Sequence, residues 1–419
     1  MSRCRQCGLA PLALALSIAA PAAAQPLGAS AESLLAHARS ASPVLASLQR
    51  EADAAAARVA PAGNLPDPVL AIEWRDITRD GTSNANLLPA RVGSMKYTLR
   101  QMLPWPGKRD LARAAAEASA TQSSRAAGAG WNELAMQLKL AHARRYELAR
   151  RTEIVEEIDG LLAQLESISR ARYAGGLAAQ ADAVQALSER TMLRGERIAL
   201  AAQMRVADAQ VNALLAREPD APLAAPVQLR EPAVEPAFAA LAARLREGNA
   251  DLAVDAARLA AAERSRDLAY RNRYPDFALA ISPIQRRNRL ADWELMFEIT
   301  IPLQQGTRRA QEQEAQALVA AATARREASL QRALGELGTA LAQLAGAREM
   351  SRLTQTSLLP QARVNLQAAL AAYESGKVDF AALLEAERRV RQVRLSLIAA
   401  QVEAQAQLAQ IERLIGEDL

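Results

Sequence analysis

The chain has 419 residues, with 51 Lys and Arg against 46 Asp and Glu, and only four Trp, six Tyr and four Phe. So few large rings, in a chain long enough for two or three domains, favour long helices with narrow Ala/Leu seams over one bulky core. Charges of both signs are interspersed with no basic arm, and there are two histidines, so the composition points away from nucleic acid and from an enzyme.

The first 24 residues read as a secretory signal peptide: Arg3 and Arg5 as the basic region, Leu9 to Ala20 as the apolar run, and Ala22-Ala23-Ala24 as the small-residue cleavage site. Cys4 and Cys7, the only cysteines, precede that apolar run and neither is placed as a lipid acceptor, so the expected mature chain has no thiol. No later run of about 18 apolar residues offers a transmembrane helix, but a barrel strand needs only about ten residues of alternating character.

A helical pattern runs from Glu32 to Ala60 and ends before the proline-rich stretch Asn64-Leu65-Pro66-Asp67-Pro68. A hairpin is expected over 68–104. In its first strand Leu70, Ile72 and Trp74 alternate with Glu73 and Arg75; in its second, Tyr97 and Leu99 alternate with Lys96, Thr98 and Arg100, after a polar loop from Thr78 to Leu88. The strand gives way to a helix through Pro104-Trp105-Pro106-Gly107-Lys108, where proline removes a ladder donor and Gly107 lets the backbone re-aim. Arg109 to Arg172 then contains no proline, long enough for one helix of roughly 96 Å. The chain turns at 173–176, marked by Tyr173 and Gly176, and a second helix follows from Ala179 to Arg217.

Five prolines punctuate a linker over 218–236, after which the plan starts over. Phe238 to Tyr270 reads as a helix, and Asn272-Arg273-Tyr274-Pro275-Asp276 matches the earlier Asn64 to Asp67. A hairpin over 276–302 carries Phe277, Leu279 and Ile281, then Trp293, Leu295, Phe297, Ile299 and Ile301 alternating with Glu294, Met296, Glu298 and Thr300. Pro302 and Gly306 echo Pro104 and Gly107, Arg308 to Ala372 is a helix interrupted at Pro360, the chain turns at 373–376 with Gly376, and Phe380 to Ile415 returns. The expectation is two structural repeats, 25–217 and 237–419, joined by the linker. Eight of the 14 aromatic residues (Trp74, Tyr97, Trp105, Tyr270, Tyr274, Phe277, Trp293 and Phe297) fall in or beside the two short hairpins, with charges on the alternate face, as suits a barrel whose outside meets lipid. Four strands enclose no useful pore, so the chain must oligomerise to close its edges.

These features together, with Leu358-Leu359-Pro360-Gln361-Ala362 and Tyr373-x-x-Gly376 followed by Leu384-Glu385-Ala386, resemble the TolC family of outer-membrane efflux channels over nearly the whole mature chain. The resemblance implies a mainly α fold with a membrane β-barrel: a homotrimer in which each protomer gives four strands to a 12-stranded barrel, continued by a long α-helical periplasmic tunnel. It implies a protein of the Gram-negative outer membrane that extends into the periplasm, contacts outer-membrane lipid, and works with a periplasmic adaptor and an inner-membrane RND-type pump. No cofactor or metal site is expected; His37 and His142 are isolated, and Met95, Met102 and Met296 read as barrel packing.

The Asn64 to Pro68 stretch and the Pro-Trp-Pro-Gly-Lys junction look most like the branch serving cobalt-zinc-cadmium and copper-silver exporters. Drug efflux and type I protein secretion on the same fold are the alternative. A periplasmic coiled-coil adaptor or structural protein also pairs long Ala/Leu/Gln helices, but no segment here supplies the β domain an adaptor brings. In the resembled family the helix tips farthest from the barrel are held by hydrogen bonds and ion pairs, with a ring of carboxylates in the lumen. Carried onto this chain, Tyr373 is the latch tyrosine, Asp182 its acidic partner and Glu385 one carboxylate of the ring; a second ring carboxylate falls at Ala382, a departure from the pattern.

Overall fold

The computed structural model describes residues 26–78, 87, 92–176, 179–230, 237–286 and 289–419. The signal segment, both cysteines, most of the loop after the first strand, and Pro232 and Pro236 lie outside the described residues. In chain order come α1 (Ala31–Ala41), α2 (Pro43–Ala57), the short α3 (Val59–Ala62), β1 (Val69–Arg75), β2 (Ser94–Leu103), α4 (Lys108–Ala174) and α5 (Gln180–Leu214). After the linker come α6 (Phe238–Gly248), α7 (Ala250–Arg271), β3 (Asp276–Arg286), β4 (Arg289–Thr300), α8 (Gln305–Leu353), α9 (Leu359–Glu374) and α10 (Phe380–Ile415).

The four strands make one antiparallel sheet in the order β1-β2-β3-β4, so the two hairpins join through β2 and β3. The register sets Leu70 opposite Leu99, Leu99 opposite Ile281, and Ile281 opposite Leu295, one apolar row across the sheet. All four are exposed, Leu295 at 80%, so this face is apolar and uncovered. The alternate face carries Thr98 bonded to Ser282 at 2.9 Å, Lys96 paired with Glu294 at 2.5 Å and Arg100 with Glu298 at 3.3 Å. Period-two alternation therefore sorts apolar from charged side chains onto opposite faces, as expected from the sequence.

Helix α4 is 67 residues long, about 100 Å, and packs on α2, α5, α7 and α10; α8 packs on α7 and α10. Two expected single helices are broken. Ser42 ends α1 and caps α2, its Oγ accepting from the Leu45 N–H at 3.5 Å, with Pro43 at the first helical position. Asn249 does the same between α6 and α7: its side chain accepts from the Leu252 N–H at 2.8 Å and donates to the Leu414 carbonyl at 2.8 Å. The reason is tertiary, since the end of α6 meets the end of α10 so closely that a Cβ on Gly248 would lie 2.4 Å from the Ile415 oxygen. The interruption expected at Pro360 begins earlier, as a π-helical turn over Thr354–Leu358, because proline offers no N–H to the preceding turn.

The two strand-to-helix junctions also differ. Gly107 caps α4 with φ +85°, whereas Gly306 lies inside the first turn of α8 and is not among the glycines of positive φ. At the first junction Lys108 is buried and donates to the Tyr274 carbonyl and to Asp276 at 2.9 and 2.8 Å, while the Trp105 N–H reaches the same Asp276 oxygen at 2.8 Å. After Pro302 the turn is instead closed by the Gln305 side chain donating to the Pro302 carbonyl at 2.6 Å. The glycine device expected twice is used once.

Candidate functional site at the helical tip

Each long helical hairpin turns on a left-handed glycine: Gly176 at φ +69° and Gly376 at φ +72°. At the second turn the Gly376 and Lys377 N–H groups bond back to the Tyr373 and Ala372 carbonyls at 3.0 and 2.9 Å, so the last orphan carbonyls of α9 are satisfied. Asp379 then caps α10, accepting from the Ala382 N–H at 2.8 Å.

This fixes Tyr373 at the end of α9, 2% exposed, with its ring edge-on to Phe380 at 5.5 Å and the Arg172 guanidinium 5.0 Å above it. Its hydroxyl lies 3.1 Å from Ser169 Oγ on α4 and 3.2 Å from the Asp182 carboxylate on α5. A carboxylate can only accept, so the tyrosine donates to Asp182 and the serine donates to the tyrosine oxygen. Burial, with the neighbouring Asp182 charge, pushes the phenol above its ordinary range and keeps it a donor. Arg172 also donates to the Glu374 carbonyl at 2.6 Å. One side chain of the second hairpin thus bonds both helices of the first. Tyr173, its counterpart in the first half, is 50% exposed.

Beyond the tyrosine the helices are cross-tied by charge. Glu189 of α5, 3% exposed, accepts from Arg388 of α10 at 2.8 Å and pairs with Arg391 at 3.6 Å. Arg190 of α5 reaches Asp159 at 3.0 Å and Glu166 at 2.8 Å on α4, and Arg394 of α10 pairs with Glu157 of α4. Leucine and isoleucine fill the space between, with Leu162 and Leu165 of α4 and Leu193 of α5 against Leu383 and Leu384 of α10.

The expected Tyr373–Asp182 pair is therefore brought together. Glu385 is not part of it; it is exposed on α10 and makes no hydrogen bond or ion pair among the described residues. The carboxylate that sequence reasoning passed over is Glu387, 1% exposed, with both oxygens buried and without a hydrogen-bond partner among the described residues. Burial, with Glu189 nearby, pushes it up to about 7 against the pull of Arg391 and Arg388. A signal was present: Phe380, Leu383 and Leu384 form an apolar stripe whose next position is 387. Ser169 carried no such signal; it is one more small residue of an Ala-rich helix. Among the described residues no group of three His, Cys, Asp or Glu is placed to hold a metal ion. His142 is buried, and burial lowers its affinity for a proton.

The sequence pattern of the family described as Outer membrane efflux protein matches residues 241–417, the second half of the chain. The outer membrane protein VceC of Vibrio cholerae superposes with a TM-score of 0.79 at 18% identity, covering 93% of this chain and 96% of that one. CusC, studied for the changes that accompany folding and transmembrane channel formation, gives 0.78 at 17% identity over 92% of each chain. The fold is that of these outer-membrane channels. MtrE of Neisseria gonorrhoeae, an outer membrane channel seen in its open state, shares the channel fold with a TM-score of 0.77 at 16% identity, over 92% of this chain and 89% of its own. No curated protein sequence matches the chain. The channel fold accounts for the mainly helical body with its small antiparallel sheet.

Proposed function

We propose that the chain is one protomer of an outer-membrane efflux channel, three of which close a 12-stranded barrel continued by a helical tunnel into the periplasm. The observation that carries this is the sheet: apolar on one face, charged on the other, with β1 and β4 at its two edges. The uncovered row Leu70, Leu99, Ile281, Leu295 suits lipid, the Lys96–Glu294 and Arg100–Glu298 pairs suit a wet lumen, and the edges are met by further copies of the same sheet. Conduction through the channel is passive, and an inner-membrane pump of the RND type delivers the cargo to it through a periplasmic adaptor.

The proposed gate is the helical tip. Tyr373 latches the second hairpin to the first through Asp182 and Ser169, and the three exposed Glu385 side chains of a trimer form the carboxylate ring that favours cations in the lumen. Hydrogen bonds to a charged group contribute roughly 1.5–3 kcal/mol, so the variant Tyr373→Phe with Asp182→Ala is expected to raise the open population by at least about tenfold. Single-channel recording reads this as longer and larger openings; unchanged conductance removes the pair from the gate. For cargo, the Asn64 to Pro68 and Pro104 to Lys108 stretches support heavy-metal cations. A deletion strain is then expected to become sensitive to cobalt, zinc, cadmium, copper or silver, and unaltered tolerance of all five with lost drug tolerance moves the channel to drug efflux.

A further inference from the structure

Where the helices meet the sheet, the aromatic rings form a continuous run: Tyr274 stacks on Trp105 at 5.1 Å, Trp105 lies 5.6 Å from Phe277, and Phe277 lies 5.7 Å from Phe297. Phe297 is 64% exposed on the apolar face of the sheet, so the run starts on that face and ends at the mouth of the helical body. Below it opens a cleft of about 420 Å³ lined by Leu111, Asp267, Tyr270, Arg271, Arg273 and Tyr274.

The charges of this cleft do not cancel. Asp267 is held by Arg266 at 2.7 Å, and Arg273 by Glu312 at 2.9 Å. Arg271 is left over: no carboxylate pairs with it among the described residues, its Nε is buried without a hydrogen-bond partner, and its guanidinium rests 5.5 Å above the Tyr274 ring. The backbone also makes room for it. A Cβ on Gly107 would lie 2.9 Å from Arg271 Nη2, so the glycine that re-aims the chain also admits the guanidinium. A fixed, uncompensated guanidinium on an aromatic plate suits a phosphate group, which it can meet with two parallel N–H donors.

We propose that this cleft binds the phosphodiester headgroup of an anionic phospholipid in the leaflet nearest the helical body. The proposal rests on the reading of the apolar face as lipid-facing. The acyl chains then follow Phe277, Leu279 and Ile281 along the exposed face of β3, while the headgroup sits at the depth where aromatic rings concentrate in membrane proteins.

The test is native mass spectrometry of the detergent-solubilised protein given equal amounts of phosphatidylglycerol and phosphatidylcholine. Wild type is expected to retain one phosphatidylglycerol per protomer in preference to phosphatidylcholine. Arg271→Gln is expected to retain it about tenfold less well, and Arg289→Gln, at the β3–β4 turn, to behave as wild type. Equal retention of the two lipids by wild type, or equal loss in both variants, overturns the site, and the first comparison needs no variant to fold. Displacement of the lipid by inorganic phosphate at the same concentration makes the ligand a free anion and overturns the lipid assignment. A chain that does not partition into bilayers at all removes the channel reading itself, whereas partitioning without lipid selectivity removes this site alone.

Discussion

Replacing Glu412 by alanine is expected to destabilise the folded chain by about 3 kcal/mol, the low end of what breaking a buried ion pair costs. Glu412 lies near the end of α10, 4% exposed, and accepts from Lys139 of α4 at 2.6 Å and from Arg230 of the linker at 2.9 Å. Its other oxygen also takes the Leu419 N–H at 3.0 Å. Arg230 in turn pairs with Glu32 of α1 at 3.1 Å, so one carboxylate gathers the first helix, the linker, the midpoint of α4 and the C-terminal turn. Truncation leaves Lys139 buried with only the exposed Asp418 beside it. The contrast is Arg352→Ala, which breaks a pair of equally good geometry with Glu349, 70% and 62% exposed, and is expected to leave stability essentially unchanged because solvent screens the pair. Urea unfolding followed by helix signal compares the two; equal costs would show that burial does not decide the matter here.

The second large effect is a pH dependence. Glu387 is pushed up to about 7 by burial, so between its ordinary range and that value the folded chain holds a proton that the unfolded chain has lost. Stability is therefore fully present below about pH 4.5 and declines as the pH rises toward 7, by about 3 kcal/mol in all at 1.36 kcal/mol per unit. Glu387→Gln keeps the shape and cannot ionise. It is expected to raise stability at about pH 8 by up to that amount and to change nothing at about pH 4. The groups facing Glu387 are Arg388 and Arg391 on its own helix and Glu189 on α5, so ionisation also loads the charge ties that join α5 to α10. A gain of equal size at both pH values would mean that ionisation of Glu387 is not the cause.

The strands were legible because period-two alternation survives in a chain poor in aromatics: β3 and β4 carry Phe277, Leu279, Ile281 and then Trp293 to Ile299 on one face, and the register confirms it. The long helices were legible because nothing between Lys108 and Ala174 can stop one. What was not legible depends on contacts far apart in sequence. The breaks at Ser42 and Asn249 carry only a single local signal each, Pro43 after the first and Gly248 before the second, and the second is fixed because α6 runs into the end of α10. The Gly107 junction differs from its echo at Gly306 because Lys108 and Trp105 find Asp276, about 170 residues away, while among the described residues no acid bonds the first turn of α8. At the tip, Tyr373 and Asp182 were reached through the family resemblance rather than from their own neighbours. Glu387 and Glu412 share a readable feature that local reasoning discounted: each is a carboxylate on an otherwise apolar helical stripe.

The most direct test of the channel reading is planar-bilayer conductance of protein purified from outer membranes, with cross-linked mass measured on the same sample. The account predicts discrete conductance steps from a species three protomers in size. A water-soluble monomer that gives no conductance would contradict it, and would return the exposed apolar row of the sheet to a face covered by some other protein.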